Sequence, residues 1–344
     1  MIATYHKYTL NFKQPSGTSR GILKTKETWF MILNKDGKQG FGECGILRGL
    51  SIDDRSDYEE TLSWTCQNIQ LGLDVLLQKL TEFPSIQFGL EMAFKSLQSI
   101  DPFELFPSEF TNGADGIAIT GLIWMGNEDF MKAQIKEKIA EGFKCIKLKI
   151  GAIDFNTEIS LLKSIRKEFN SKDIELRVDA NGAFTPVDAL EKLKQLSEFD
   201  LHSIEQPIRA GQWHDMARLC DKTPLPIALD EELIGVFNVT KKKELLQTIQ
   251  PQYIILKPSF IGGFRGSKEW IELVESQKIG WWITSALESN VGLNAIAQWT
   301  YLLQTQMYQG LGTGGLFTNN FDSPLVVKNG TLQHDNSTKW KFNL

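Results

Sequence analysis

Eight short apolar runs recur through residues 117–311, and their last residues are 25 to 30 positions apart. Short apolar runs separated by amphipathic segments predict strands that alternate with helices. A parallel sheet of eight such units closes into a (β/α)₈-type barrel, although an open doubly wound sheet gives a similar pattern. The predicted strands are 117–120, 145–150, 174–179, 202–205, 227–230, 253–257, 281–285 and 308–311.

The segments on either side of these repeats follow a different pattern. In residues 1–112, strand-like stretches come first and helical stretches follow, which predicts an α+β capping domain. Its polar segment 14–21 fits a hairpin turn, the favoured interpretation, or a lid loop whose Arg20 reaches an anionic ligand. We expect residues 113–315 to form the barrel and residues 316–344 to return and pack on the capping domain.

Composition and charge exclude several classes of function. The 344 residues are 42% hydrophobic and 23% charged, with a net charge of −5, so no basic surface for nucleic acid is expected. No run approaches the roughly 20 apolar residues of a membrane span, and the N-terminus lacks the apolar core of a signal peptide. We therefore expect a cytoplasmic protein, as a monomer or a homo-oligomer. The cysteines and histidines lack disulfide-framework or zinc-site spacing.

Two lysines alternate with apolar residues in the predicted strand 145–150. Because strand side chains alternate between faces, Lys147 and Lys149 point the same way. Ammonium groups about 7 Å apart disfavour one another's protonation, which lowers the pKa of at least one and favours a base near neutral pH. Taken alone, the strand fits an edge strand with solvated lysines better, and only the residues downstream favour catalysis.

Three successive predicted strands each end in a carboxylate: Asp179, Glu205 and Asp230. The carboxyl ends of barrel strands meet at one rim, so these groups gather there. One Asp at a strand end is usually a helix cap, but three together repel one another unless a cation lies among them. Oxygen ligands favour a hard ion such as Mg²⁺. Lys257, on the sixth strand, would face the lysine pair of the second strand across the lumen.

Together, in order and spacing, these motifs resemble the enolase superfamily in its muconate-lactonizing-enzyme-like subgroup. The resemblance covers essentially the whole chain and implies a modified (β/α)₇β TIM-type barrel with an N-terminal α+β capping domain. It also implies Mg²⁺, with Mn²⁺ as a substitute, held by the three carboxylates. The matching motifs are Lys-x-Lys at 147–149, Asp-Ala-Asn at 179–181, Glu-Gln-Pro at 205–207, Asp-Glu at 230–231 and Lys-Pro-Ser at 257–259.

Segments 284–293 and 310–315 are most similar to o-succinylbenzoate synthases, lyases of menaquinone biosynthesis. The implied reaction is a syn-elimination of water from the dicarboxylate 2-succinyl-6-hydroxy-2,4-cyclohexadiene-1-carboxylate. By this resemblance Lys149 would remove the α-proton and return it to the leaving hydroxyl, while Lys257 stays cationic on the opposite face and Lys147 tunes Lys149. Asn181 and Glu231 would support the metal ligands.

The second carboxylate of such a substrate needs hydrogen-bond donors. The candidates are Arg20, the hydroxyls near Ser285 and Ser289, and the backbone N–H groups around Gly312, Thr313 and Gly314. One departure concerns these contacts. Some o-succinylbenzoate synthases have Arg two residues beyond the Asn of the Asp-Ala-Asn turn, whereas this chain has Ala183. The departure weakens the transfer of fine substrate contacts but not of the metal ligands or lysines.

An N-acylamino acid racemase or a dipeptide epimerase of the same superfamily is the nearest alternative, because lysines on both faces allow deprotonation on one and reprotonation on the other. Dipeptide epimerases of the subgroup carry Asp-x-Asp at the last strand, where this chain has Gly-Thr-Gly at 312–314. An unpaired substrate ammonium there loses a charge-assisted bond, which argues against dipeptides. A barrel that only binds ligand is less favoured, since all the charged residues are retained.

Overall fold

Strands and helices alternate along most of the chain in the computed structural model, which describes residues 1–18, 21–124 and 126–344. The strands are β1 (Ile2–Thr18), β2 (Gly21–Lys35), β3 (Lys38–Gly45), β4 (Gly116–Ala118), β5 (Gly121–Ile123), β6 (Cys145–Lys149), β7 (Glu175–Asp179), β8 (Ser203–Glu205), β9 (Ile227–Leu229), β10 (Tyr253–Leu256), β11 (Gly280–Ile283), β12 (Leu325–Lys328) and β13 (Thr331–His334). The helices are α1 (Tyr58–Gln67), α2 (Leu73–Lys79), α3 (Pro84–Gln98), α4 (Glu128–Ala140), α5 (Phe155–Glu168), α6 (Ala189–Ser197), α7 (Trp213–Lys222), α8 (Val239–Ile249), α9 (Pro258–Ile261), α10 (Gly263–Glu275) and α11 (Asn290–Leu302). Of the described helices, none has the length and apolar character needed to cross a membrane.

Seven parallel strands, β5 to β11, form one sheet in sequence order, as expected for right-handed βα units. The predicted eighth strand, 308–311, forms single bridges instead of a regular strand. The N–H of Gly310 donates to the carbonyl of Ile283 at 2.8 Å, and the N–H of Thr120 donates to the carbonyl of Gln309 at 2.9 Å. These bonds close the gap between the two edges of the sheet. The predicted barrel is therefore confirmed, with an irregular eighth position.

The predicted first strand, 117–120, is divided between two sheets. Ile119 and Thr120 pair with Gln309 where the barrel closes, whereas residues 117–118 belong to β4. β4 pairs with β13 in a separate antiparallel sheet of order β12-β13-β4, and the first barrel strand is β5, which pairs with β6. The apolar pattern continues from Ile117 to Ile123, and nothing in it marks where the chain passes from one sheet to the other. The partner strand β13 lies about 200 residues downstream, so local periodicity could not identify it.

The N-terminal residues form an antiparallel sheet of order β1-β2-β3, with α3 packed against β2 and β3. Trp29, Met31 and Leu33 of β2 are buried in a core shared with α1, α2 and α3. Gly42 of β3 lies so close to α3 that a Cβ would clash with the carbonyl oxygen of Gly89. This close approach requires a residue without a side chain, and it fixes the helix on the sheet.

The C-terminal residues pack on the N-terminal sheet through aromatic contacts. Phe321 and Phe342 each lie with their ring centroids 5.2 Å from that of Phe30. Trp340 stacks on Phe103 at 4.4 Å. The packing joins the end of the chain to its beginning, while the boundaries of the predicted division into 1–112, 113–315 and 316–344 stay a prediction.

Two acidic residues of the N-terminal domain meet the N-termini of barrel helices. Glu43 of β3 accepts hydrogen bonds from the N–H groups of Ser289 and Gly292, at 2.9 and 2.8 Å, where α11 begins. Glu91 of α3 accepts one from the N–H of Phe264 at 2.5 Å, where α10 begins. First-turn N–H groups have no partner within their helix, and the positive end of the helix dipole attracts a carboxylate. Glu43 and Glu91 therefore tie the capping domain to the barrel.

Candidate active site

Strand register brings the predicted lysines and carboxylates to one rim of the barrel. Lys149 of β6 is the register partner of Asp179 of β7, and Asp179 is the partner of Glu205 of β8. Asp230 directly follows β9, which pairs with β8. Since the strands are parallel and in register, their carboxyl ends lie side by side. The three carboxylates therefore come from adjacent strands at one level of the barrel.

The amines of the Lys-x-Lys pair lie among these carboxylates. Lys147 Nζ donates to Glu205 Oε2 at 2.6 Å and to Asp179 Oδ2 at 3.2 Å. Lys149 Nζ donates to the same Asp179 oxygen at 2.7 Å and to Asn181 Oδ1 at 2.7 Å. Both lysines thus point to one face, as their alternation in the strand predicted.

Lys257, at the end of β10, completes the cluster from the other side. Its amine donates to Asp230 and lies 4.0 Å from Glu205 Oε1. Lys147 and Lys257 are each 13% exposed, and Glu205 is 2% exposed between them. Removing these charges from water is costly unless each is paired, which explains why every lysine lies against a carboxylate.

The electrostatic balance of the cluster differs from the one expected from the lysines alone. Burial by itself would lower the pKa of Lys147, but the Glu205 and Asp179 carboxylates raise it above its usual value. Burial would also lower the pKa of Lys257, but the Asp230 and Glu205 carboxylates raise it above its usual value. The expected lowering of at least one lysine pKa does not occur at Lys147, because attraction by the carboxylates outweighs repulsion between amines.

The carboxylates differ from one another in their surroundings. Burial alone would raise the pKa of Asp179, but the Lys149 and Lys147 amines hold it well below its usual range. Burial, reinforced by the neighbouring Asp179 carboxylate, raises the pKa of Glu205 above its usual value. Its Oε1 atom is buried and has no hydrogen-bond partner among the described residues. The surroundings of Glu205 therefore disfavour its charged form, and a further cation nearby would stabilise it.

This donor set fits a hard divalent cation. Within the described part of the chain, no three Asp, Glu, His or Cys side chains already stand close enough together to hold a metal ion. The lysine amines lie between the carboxylates instead. Lys147 Nζ pairs with both Asp179 and Glu205, so the two carboxylates attract positive charge to this point. Carboxylate oxygens are the ligands that Mg²⁺ prefers, and the unpartnered oxygen of Glu205 provides a free ligand atom.

Asn181 and Glu231 lie next to the cluster, as the motifs indicated. The N–H of Asn181 donates to Asp179 Oδ1 at 3.0 Å, and its side-chain amide donates to Glu231 Oε1 at 3.0 Å. Asn181 has a positive φ of 44°, a conformation that Asn tolerates better than most residues. The turn after β7 therefore holds both Asp179 and Lys149 in place.

A cavity of about 760 Å³ opens above the cluster. Lys147, Lys149, Asp179, Asn181 and Lys257 line it, whereas Glu205 and Asp230 lie behind the lysines to which they are bonded. Apolar side chains contributed by both domains form much of the remaining wall. They include Leu23, Leu47, Leu50, Trp124, Phe260, Leu287 and Leu316. An apolar cavity with a few charged groups at its base is typical of a small-molecule site.

The predicted substrate-binding residues divide into three groups. Ser285, Gly312 and Thr313 line the cavity, and Thr313 Oγ1 donates to Ser285 Oγ at 2.9 Å. Ser289 and Gly314 are not part of its lining. The Ser289 hydroxyl is buried and donates to Glu43 Oε2 at 2.5 Å, because it caps α11 and joins the domain interface. Arg20 lies outside the described residues, so its contact with the substrate stays a prediction.

Sequence reasoning assigned no role to Glu288, which organises this end of the barrel. Its carboxylate is 1% exposed and accepts hydrogen bonds from the hydroxyls of Ser259 and Ser285. Ser259 lies two residues after Lys257, so Glu288 joins the segment that carries the lysine to the segment that lines the cavity. The sequence signal that could have indicated this role is an isolated acidic residue between an apolar strand and an apolar helix.

The fold and the site define a class: an α/β-barrel enzyme with an α+β capping domain and a charged strand-end site. Two family models match the chain, one described as enolase C-terminal domain-like over residues 130–337 and one as the MenC N-terminal domain over residues 2–97. The chain belongs to the enolase superfamily and carries a MenC-type N-terminal domain. Enolase-superfamily sites use a Lys or His base together with Mg²⁺.

The similar proteins include one near-full-length relative. The chain is 48% identical to an o-succinylbenzoate synthase of Desulfotalea psychrophila, covering 96% of this chain and 98% of the relative. The crystal structure of MenC from Desulfotalea psychrophila matches with a TM-score of 0.86 and 44% identity, covering 97% and 99% of the two chains. An L-Ala-D/L-Glu epimerase of Bacillus subtilis is 27% identical over 60% of this chain and 55% of the relative. The epimerases are therefore only distant relatives.

Proposed function

We propose that this chain catalyses o-succinylbenzoate synthesis, the Mg²⁺-dependent syn-dehydration of 2-succinyl-6-hydroxy-2,4-cyclohexadiene-1-carboxylate in menaquinone biosynthesis. The observation that carries the proposal is the 48% identity to an o-succinylbenzoate synthase over nearly the whole length of both chains. The geometry supports a carbon–oxygen lyase of this superfamily, because amines flank a set of carboxylates at the base of an apolar cavity. Geometry alone also fits racemisation, so sequence likeness decides between them.

Lys149 is the proposed general base. Its amine lines the cavity and is oriented by Asp179 and Asn181, each at 2.7 Å. It would take the proton α to the substrate carboxylate, and the electron pair of that C–H bond would form the new double bond as the C–O bond breaks. Lys149 would then return the proton to the departing hydroxyl on the same face, so that water leaves and the amine is neutral again.

Lys257 and Lys147 have supporting roles in this proposal. Lys257 lies beside Asp230 and Glu205, and as a cation it would stabilise the developing negative charge from the opposite face. Lys147 would hold the substrate carboxylate and tune Lys149. Mg²⁺, held by Asp179, Glu205 and Asp230, would neutralise charge on the substrate carboxylate and compete with the amines for these ligands. We extend the same proposal to Mn²⁺ as a substitute ion.

The second carboxylate of the substrate would bind to backbone N–H groups at the far side of the cavity. The hydroxyl of Ser285 already donates to Glu288 at 2.6 Å, and that of Thr313 donates to Ser285. Their protons are committed, so these side chains can only accept. Among the described residues, the N–H groups of Gly312 and Thr313 donate to no protein acceptor and are available. They are the donors we favour, with Arg20 of segment 14–21 as a predicted addition.

An N-acylamino acid racemase or dipeptide epimerase is the second candidate, because lysines lie on both sides of the carboxylates. No acid occupies 312–314, where dipeptide epimerases of the subgroup hold the substrate ammonium. The epimerases found are also distant, with 27% identity over part of the chain. Elimination is therefore the better-supported reaction.

The test incubates the protein with Mg²⁺ and the cyclohexadiene substrate and follows the absorbance of the aromatic product. A parallel reaction in D₂O with an N-succinylamino acid measures exchange of the α-proton. We expect product formation that stops when EDTA is added. Exchange of the α-proton without aromatic product would instead identify a racemase. If neither signal appears, the barrel only binds ligand. Cytoplasmic location, monomeric or homo-oligomeric state and the absence of nucleic-acid binding stay predictions.

A further inference from the structure

Gln206 follows Glu205 at the end of β8, and its side chain is fully buried. It has a positive φ of 38°, a conformation that costs free energy for a residue other than glycine. We propose that Gln206 is the positioning residue that holds the three carboxylate-bearing strand ends at a fixed spacing. The inference rests on the proposed function, since it concerns the site where Mg²⁺ would bind.

The side-chain amide of Gln206 joins the end of β8 to the end of β9. Its Oε1 atom accepts hydrogen bonds from the N–H groups of Asp230 and Glu232, at 3.2 and 3.3 Å. Its Nε2 atom donates to the carbonyl of Ile208 and to Glu232 Oε2, both at 3.0 Å. One amide therefore uses both its acceptor lone pairs and both its protons, and one of its bonds is to the backbone of a proposed ligand.

The backbone of Gln206 extends the same connection to β7. Its carbonyl accepts a hydrogen bond from the N–H of Gly182 at 2.7 Å, three residues after Asp179. Its own N–H donates to the carbonyl of Ala228 in β9 at 2.9 Å. Gln206 thus contacts the chain at the ends of the three strands that carry Asp179, Glu205 and Asp230.

The partner of Gln206 is also fixed. Glu232 is 3% exposed, and its Oε1 atom accepts a hydrogen bond from the N–H of Gly211 at 2.7 Å. Buried polar groups that are fully hydrogen-bonded are rigid, because losing any one bond leaves a desolvated atom without a partner. The carboxylates themselves are held by long lysine side chains, which rearrange more readily. The fixed element of the site is therefore the Gln206–Glu232 pair.

A metal site with Mg²⁺ geometry tolerates little error in ligand spacing, since the ion demands near-octahedral coordination. Residues that orient metal ligands typically change metal affinity by about 10- to 100-fold when mutated. We therefore expect Gln206→Met, which keeps the length of the side chain but removes its hydrogen bonds, to weaken Mg²⁺ binding by about that factor. Gln206→Glu should also weaken it, because a carboxylate cannot donate to Glu232.

The decisive variant exchanges the two partners. In Gln206→Glu/Glu232→Gln the amide protons come from the other side, so the bond between the two side chains can form again with its roles reversed, whereas the bond to the Ile208 carbonyl stays lost. Mg²⁺ binding to the full-length protein is measured by calorimetry for the wild type, both single Gln206 variants and the exchanged pair. Gln212→Met is the matched control, because Gln212 lies in the same loop but its side chain bonds only the carbonyl of Arg209 among the described residues. The unfolding midpoint without metal is measured for each protein.

We expect weaker Mg²⁺ binding in both single variants, partial recovery in the exchanged pair and no change in the control. Wild-type affinity in both Gln206→Met and Gln206→Glu, or an exchanged pair that binds no better than Gln206→Glu, would overturn the proposal. A lower unfolding midpoint with unchanged affinity would show a merely structural role and would overturn it too. If Gln206→Met does not fold, Gln206→Glu and the exchanged pair decide. Turnover by the wild type is recorded separately, so that failure of the proposed reaction is distinguished from failure of this inference.

Discussion

The buried acids of this protein fall into two groups that differ in what neutralises them. At the domain interface, Glu43 is held by backbone N–H groups of α11 and by the Ser289 hydroxyl, all fixed in position. At the barrel mouth, Asp179 and Glu205 are held mainly by lysine amines at the ends of flexible side chains. Glu205 also keeps one buried oxygen without a partner among the described residues.

This difference distinguishes acidic residues that stabilise the fold from acidic residues that belong to the proposed metal site. A carboxylate surrounded by fixed donors is stabilised in one ionisation state and has no atom left to offer. A carboxylate paired with amines can exchange those partners for a ligand or a cation. Burial alone therefore does not identify a functional acid, whereas the identity and mobility of its partners do.

The largest expected effect is on Lys149→Ala, since it removes the proposed base. We expect kcat to fall by about 100- to 10,000-fold, the usual contribution of a general base, with little change in the unfolding midpoint. Lys242→Ala is the matched control, because Lys242 is also a buried lysine paired with a carboxylate, Glu269, but lies outside the cavity lining. It should lose stability and keep its turnover per folded molecule. An active Lys149→Ala protein would contradict the assigned role.

Asp230→Asn should give the next largest effect. It removes one negative charge from the proposed metal ligands, and altering even a residue that only supports a ligand costs about 10- to 100-fold in metal affinity. We expect at least that loss for Mg²⁺ in calorimetric titration. Glu91→Gln, at the interface, serves as the control and should bind Mg²⁺ like the wild type. Equal affinity in Asp230→Asn and the wild type would count against ligation by Asp230.

Glu43→Gln should destabilise the protein while leaving the chemistry intact. The carboxylate accepts several hydrogen bonds, and bonds to a charged group contribute about 1.5 to 3 kcal/mol each, whereas an amide offers one acceptor oxygen. We expect the free energy of unfolding to fall by about 1 to 3 kcal/mol in denaturant titration. Turnover per folded molecule should stay near that of the wild type. A large loss of kcat without loss of stability would remove the distinction between the two groups of acids.

The last expected effect concerns the pH dependence of stability. Burial raises the pKa of Glu91 to about 7, although the N–H groups of Phe264 and Arg265 oppose the shift. The folded state then binds more protons than the unfolded state between about pH 4.5 and 7. The stability that Glu91 contributes is complete below this window and is lost as pH rises through it, by up to about 1.4 kcal/mol per pH unit.

The Glu91→Gln variant isolates this contribution. Asp53 and Glu158 also have raised pKa values, of about 6 and about 7, so the wild-type profile alone is not specific. Denaturant unfolding at pH 5 and pH 8 should show a smaller loss of stability in Glu91→Gln than in the wild type. Parallel profiles for the two proteins would show that Glu91 is ionised across the whole range.

The sequence predicted the features that depend on local periodicity. The repeat interval identified the βα units, and the two-residue period of a strand placed Lys147 and Lys149 on one face. The register that brings Asp179 beside Glu205 followed from parallel pairing of adjacent units. These inferences needed only neighbours in the chain or in the repeat.

The sequence did not predict contacts between residues far apart in the chain, or the balance between burial and neighbouring charges that determines a pKa. Ser289 was assigned to substrate because its motif adjoins the cavity segment, but its hydroxyl bonds Glu43, which lies 246 positions earlier in the chain. Residues 117–118, in β4, were assigned to the barrel by the repeat pattern, but they pair with β13, which lies too far downstream for local periodicity to identify. The pKa of Lys147 depends on distances to Glu205 and Asp179 that no spacing rule supplies.

A crystal structure of the protein with Mg²⁺ tests most directly whether the barrel-mouth acids converge on one cation. The account predicts an ion coordinated by Asp179, Glu205 and Asp230 at about 2.0 to 2.1 Å, with the amines of Lys147 and Lys257 displaced from these carboxylates. The contradictory result is a structure at saturating Mg²⁺ in which the three carboxylates keep their lysine partners and hold no ion.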